Sequence, residues 1–217
     1  MTPQHAREVL EVLQDTHRPL SEDSYRALEV LEAEGVRPYF RDRLEEAREP
    51  LTPPERLEAL LHDPSEQVRS ELARHPGLQG EQILFLAETG GAEVREALGK
   101  RYTLSLYAME ALAASDPPAS LCRNPTLPEY LQLEILENHP ERAGDLLRNP
   151  NASPQVLEQI ARSNQDEEIL ETVLYHDKAR LSTLAYIAEE ASDSLIRNRA
   201  REVLEDRLHR SEYSLER

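Results

Sequence analysis

Leu72-Ala73-Arg74-His75-Pro76 decides the fold, because it returns. Leu98-Gly99-Lys100-Arg101-Tyr102, Leu121-Cys122-Arg123-Asn124-Pro125 and Leu146-Leu147-Arg148-Asn149-Pro150 repeat its pattern, and Val173-Leu174-Tyr175-His176-Asp177 follows it more loosely. The best copies read as a helix end: apolar residues, a cation in the last turn, a polar turn former, then a proline that stops the helix. Self-similarity at a steady period is the mark of a stacked array.

Working outward, an apolar pair three residues apart precedes each copy: Leu57/Leu60, Ile83/Leu86, Met109/Leu112, Leu133/Leu136 and Leu157/Ile160, with Leu184/Ile187 after the last. From one second member to the next the steps are 26, 26, 24, 24 and 27 residues. The position after it is Leu61, Ala87, Ala113, Glu137, Ala161 and Ala188, apolar in all but one. That i, i+3, i+4 spacing is one stripe of an amphipathic helix, helix A of each repeat.

Thr52-Pro53-Pro54-Glu55 reads as a capping box with Thr52 at the N-cap, and Ser153-Pro154, Leu127-Pro128-Glu129 and Thr2-Pro3 carry part of that signal. A second box, Asp63-Pro64-Ser65-Glu66, opens helix B before Val68-Arg69; Val94-Arg95 and Ile196-Arg197 fill the same place. In the third and fourth repeats helix B has room only for a short or 3-10 turn. A longer helix from Asp193 to about His209 ends the array, with a frayed tail beyond. Residues 1–50 lack the columns and are expected to form an N-terminal cap with helices near 3–15, 21–34 and 37–48. Residues 51–203 then hold six repeats and 204–217 the helix end. The whole reads as an all-α solenoid, each repeat burying its stripe against the next.

Composition agrees. The 217 residues are 39 % hydrophobic and 31 % charged, but only 5 % aromatic with no Trp, so Leu, Ile, Val and Ala must build the core. The net charge of −17 disfavours phosphate backbones and anionic lipid and favours a basic partner surface. The lone Cys122 rules out an intramolecular disulfide and suits a reducing cytoplasm. Met1-Thr2-Pro3-Gln4-His5 has neither a basic nor an apolar signal region, and no apolar run approaches a membrane span.

Leu-x-x-Leu-Ala followed by Val-Arg-x-x-Leu-Ala-Arg-(His/Asn)-Pro, best seen in Leu57–Leu61 and Val68–Pro76, resembles the leucine-rich repeat variant, a bacterial relative of HEAT-like repeats. The resemblance implies a right-handed superhelix of α-helices alternating with α- or 3-10 helices, used as an interaction surface. Some members carry an N-terminal iron–sulfur module held by clustered cysteines. Residues 1–50 contain none, so that module is not expected here.

The expected function is a protein-binding adaptor or scaffold, not an enzyme, with no cofactor and no metal. A HEAT-like nucleic-acid binder or nucleic-acid enzyme with an Arg-lined face is the alternative. Arg74, Lys100, Arg123 and Arg148 occupy one column and read as a basic edge for an acidic segment of a partner, or as cations complementing helix C-termini. The next column, His75, Arg101, Asn124, Asn149 and His176, is expected to hydrogen-bond turn backbone. Tyr102, Tyr107 and Tyr130 are candidate partner anchors or gap fillers. No His-Glu-x-x-His, Gly-rich phosphate loop or Gly-x-Ser-x-Gly elbow is present.

Overall fold

Proline, serine and aspartate punctuate the chain so often that, among the described residues, no helix before the last exceeds ten residues, and such helices need neighbours to persist. A computed structural model describes residues 40–215. The helices expected near 3–15 and 21–34, and the Thr2-Pro3 start, lie outside them. All described regular structure is helical, thirteen α-helices and one 3-10 turn.

The chain divides into two compact units, residues 1–98 and 99–217. The first contains α1 (Phe40–Arg48), α2 (Pro54–Leu61), α3 (Glu66–Leu72), α4 (Gly80–Thr89) and α5 (Ala92–Gly99), whose last residue opens the second unit. The second contains α6 (Leu106–Ala113), α7 (Ala119–Cys122), α8 (Glu129–Asn138), a 3-10 turn (Pro140–Arg142), α9 (Ala143–Leu147), α10 (Pro154–Ser163), α11 (Glu167–Tyr175), α12 (Leu181–Glu190) and α13 (Ser194–Leu215).

Besides contacts between successive helices, of which α12 on α13 is the most extensive, helices pack on the one after next. In the first unit α3 packs on α1 and α4 on α2; in the second, α6, α8, α10 and α12 form one chain of contacts and α7, α9, α11 and α13 another. The buried side chains are the predicted columns: Leu57, Leu60, Ile83 and Leu86 in the first unit, Met109, Leu112, Leu157, Ile160, Leu184 and Ile187 in the second. Helix B contributes Val68, Leu72, Leu121, Leu146, Val173 and Ile196, all nearly inaccessible. As expected, α7 has four residues, and the 3-10 turn leads into a five-residue α9. Pro117 and Pro118 withhold backbone donors and disfavour helix before themselves, which delays α7.

Four expectations need correction. Helix α8 is read one residue out: its inward positions are Leu131, Gln132, Ile135 and Leu136, while Leu133 is only half-buried. Gln132 stands in the apolar column because its Nε2 donates to Leu127 O at 2.9 Å. With Ile135 as anchor, the odd Glu137 leaves the small column and Leu136 takes it. Thr52 does not cap α2; its hydroxyl donates to Glu46 O of α1 at 2.7 Å, and Pro53 takes the N-cap position without a side-chain cap. Asp63 does not cap α3; it accepts from Ser65 N at 2.9 Å and forms a buried ion pair with Arg43 at 2.8 Å. Finally, α13 runs to Leu215 rather than fraying at His209, since no Gly or Pro interrupts 193–217.

Candidate interaction edge

The turns after α7 and α9 are built alike. Arg123 and Arg148 occupy the C-cap positions with nearly identical backbones, φ −84°, ψ −4° and φ −83°, ψ −1°. The next residue turns inward. Asn124 donates through Nδ2 to Gly99 O and Arg101 O, both at 2.7 Å, and accepts from Thr126 N at 2.9 Å. Asn149 repeats this with Cys122 O at 2.9 Å, Asn124 O at 2.7 Å and Asn151 N at 2.8 Å. Both side chains are buried, so these bonds satisfy carbonyls that water cannot reach. In the first unit His75 plays the part, with Nε2 at 2.7 Å from Glu49 O and Nδ1 accepting from Gly77 N at 3.0 Å.

In the fifth copy of the motif His176 accepts from Lys178 N at 3.1 Å, and burial together with Lys178 holds its imidazole below the usual range. A row of Asn151 and Lys178 runs alongside, donating to Pro125 O and Pro150 O, each at 2.8 Å. The column expected to bind turn backbone does so at His75, Asn124 and Asn149.

The preceding column faces solvent. In the first unit, Arg74 is exposed and 3.1 Å from Glu71. Burial alone would raise the Glu71 carboxyl, but hydrogen bonding from Arg48 and the charge of Arg74 outweigh it and hold Glu71 below the usual range. In the second, Lys100, Arg123 and Arg148 are exposed. Asp145 gathers the arginines: Arg123 reaches its Oδ1 through Nε at 3.0 Å and Nη2 at 2.5 Å, and Arg148 approaches the same oxygen at 3.7 Å. Arg142 lies 3.7 Å from Oδ2 and donates to Asp116 at 2.7 Å. Pairs this exposed add at most about 1 kcal/mol each, so stability alone is a weak reason for so many arginines here.

The tyrosines are not gap fillers: Tyr102 is 71 % exposed and Tyr107 72 %. Tyr130, at 46 %, donates its hydroxyl to Glu110 at 2.8 Å, which pushes its pKa up to about 12. Tyr175, which replaces arginine in the column, is exposed beside a groove of about 380 Å³ lined with Leu174, Asp177, Val203, Asp206 and Arg207.

Sequence reasoning missed three parts of this frame. Arg69, Arg95 and Arg197 of the Val-Arg signal fold back onto carbonyls near the end of the preceding helix A: Asp63 O, Ala87 O at 2.8 Å and Ser192 O at 2.9 Å. Their recurrence after a buried Val or Ile was the available signal. Arg207 donates to Leu174 O at 3.3 Å, His176 O at 2.8 Å and Ala179 O at 2.7 Å. Asp145 and Arg142 belong to no column, so periodicity could not point to them.

Burial pushes the Cys122 thiol up to about 12, so no thiolate nucleophile forms at neutral pH. Among the described residues no three His, Cys, Asp or Glu side chains cluster as a metal requires, and no helix is long and apolar enough to cross a membrane. No protein-family model, no curated protein and no solved structure matches the chain.

Proposed function

We propose that the chain is a cytoplasmic adaptor or scaffold, a right-handed solenoid of six two-helix repeats that holds another protein along its Arg- and Tyr-bearing edge. One observation carries the reading: adjacent residues of each turn do opposite jobs. Asn124 and Asn149 lock the turn backbone from inside, while Arg123 and Arg148 stand in solvent. Side chains mounted on a fixed backbone lose less entropy on binding, which is what a recognition surface needs. Tyr102 and Tyr107 offer broad amphipathic area on the same compact unit, and arginine and tyrosine are the residues that most often anchor interfaces.

The test is capture of a partner by the full chain, followed by affinity measurement with Arg123→Glu and Arg148→Glu proteins. Loss of affinity by about tenfold or more supports the reading, and unchanged affinity for both retires the edge.

A HEAT-like nucleic-acid binder is the second reading, favoured by the three arginines around Asp145. It must overcome a net charge of −17. Salt-sensitive retention on DNA would support it, and free passage at low salt would end it.

A further inference from the structure

Three guanidinium groups surround a single half-buried carboxylate, and two of them face outward. Arg123 and Arg148 both address Asp145 Oδ1, at 2.5 and 3.7 Å, so their nearest nitrogens are no further apart than those two distances laid end to end. That gap can be bridged by two oxygens of one tetrahedral oxyanion, each accepting at about 2.8 Å. Arg148 sits beyond hydrogen-bond distance from Asp145, and its side chain is 61 % exposed. Its fork is directed to the carboxylate without being consumed by it.

We propose that Arg123 and Arg148 form a clamp for a phosphate group carried on a protein segment, with Arg142 as the third charge behind it. This rests on the scaffold reading and names the chemistry its edge selects. Charge number chooses phosphate over carboxylate. Asp145 is tethered in place and competes at the high effective concentration of an intramolecular group, so an incoming monoanion gains nothing over it. A phosphate dianion brings about twice the charge and more acceptor oxygens, and bidentate arginine geometry suits it. Scale chooses a phosphorylated segment over a nucleic acid. Arg142 is already engaged by Asp116, leaving a small local positive excess on a chain of net charge −17. Such a point site fits one phosphate group, whereas a polyanion would lay its other phosphates against a repulsive surface.

The experiment titrates the full chain with inorganic phosphate, O-phosphoserine, acetate and a short single-stranded DNA at constant ionic strength. The readout is NMR of the arginine Nε–H signals, assigned by loss in Arg123→Gln and Arg148→Gln proteins. Phosphate and phosphoserine should shift both signals saturably, acetate should bind at least about tenfold more weakly, and either substitution should weaken phosphate about tenfold or more. Arg148→Lys, which keeps the charge but not the fork, should recover only part of the loss. Equal response to phosphate and acetate, or wild-type phosphate affinity in folded Arg148→Gln protein, overturns the clamp. DNA binding tighter than phosphoserine through the same two arginines overturns the assignment to a protein segment. A captured partner that still binds after phosphatase treatment, and also binds Arg148→Gln protein, keeps the scaffold and removes the clamp. Phosphate held at the clamp with no protein partner does the reverse.

Discussion

Replacing Asn149 with Ala removes three hydrogen bonds at once: the donations to Cys122 O and Asn124 O, and the acceptance from Asn151 N. The side chain is fully buried, so water cannot stand in unless the turn opens. The Asn124 carbonyl keeps the amide of Leu127 at 3.0 Å, so the heavier penalty falls on Cys122 O. At about 1 kcal/mol net per bond, plus about 1–3 kcal/mol for a buried carbonyl left without its donor, the expected loss is about 4–6 kcal/mol. The control is Asn151→Ala, which removes two exposed bonds, the donation to Pro125 O at 2.8 Å and a long one from Lys178 at 3.4 Å, and should cost about 1 kcal/mol or less. Urea titration followed by far-ultraviolet circular dichroism separates the two. With a slope of about 2 kcal/mol per molar, Asn149→Ala should lower the midpoint of the transition carrying residues 99–217 by about 2–3 M. Hydrogen exchange should accelerate first at the amides of 121–126 and 146–152. A loss under about 1 kcal/mol, no larger than that of the control, refutes the claim that this row holds the turns together.

Arg207→Ala strips donors from three carbonyls and should cost about 2–4 kcal/mol by the same titration, with Arg207→Lys recovering only part, since one ammonium cannot fork to all three. Gly99→Ala would place a Cβ 2.2 Å from Ser120 Oγ and 2.6 Å from Leu121 N, and should destabilise by about 1–3 kcal/mol in thermal melts. Gly80→Ala, which meets nothing within 4 Å, should be neutral or slightly stabilising. Cys122 should resist iodoacetamide in the native protein at about pH 8 and react fully in urea. His176 should titrate below its ordinary 6.5 by NMR. The unfolded chain then takes up that proton first, so stability should be level above 6.5 and fall as pH drops through the window beneath it.

Periodicity revealed which helices exist and which faces they bury, because the hydrophobic effect acts on residue type and spacing alone. Leu57, Leu86, Leu112 and Ile160 are buried where that logic puts them. It misread α8, because Gln132 lies in an apolar column with its Nε2 donating to the Leu127 carbonyl, and no count of apolar residues anticipates that. Local capping rules misplaced Thr52 and Asp63, whose partners Glu46 and Arg43 lie on another helix. The turn-bonding column was legible since asparagine and histidine at a helix end have few other uses. The grouping around Asp145 was not, because it unites residues from three different segments.

The asparagine row also sets what can change in this chain. The turns of Asn124 and Asn149 each hang from the backbone of the turn before, so the length of helix between them is free while the position of the turn is not. Helix α7 has four residues and α9 has five after a 3-10 turn, yet Asn124 and Asn149 reach the corresponding pair of carbonyls in each preceding turn. Insertions inside a helix can be absorbed as an extra bend or half-turn. One residue added between Cys122 and Asn124, or between Leu147 and Asn149, carries the amide off both carbonyls together. The same joint that makes the helices interchangeable makes the turns indivisible.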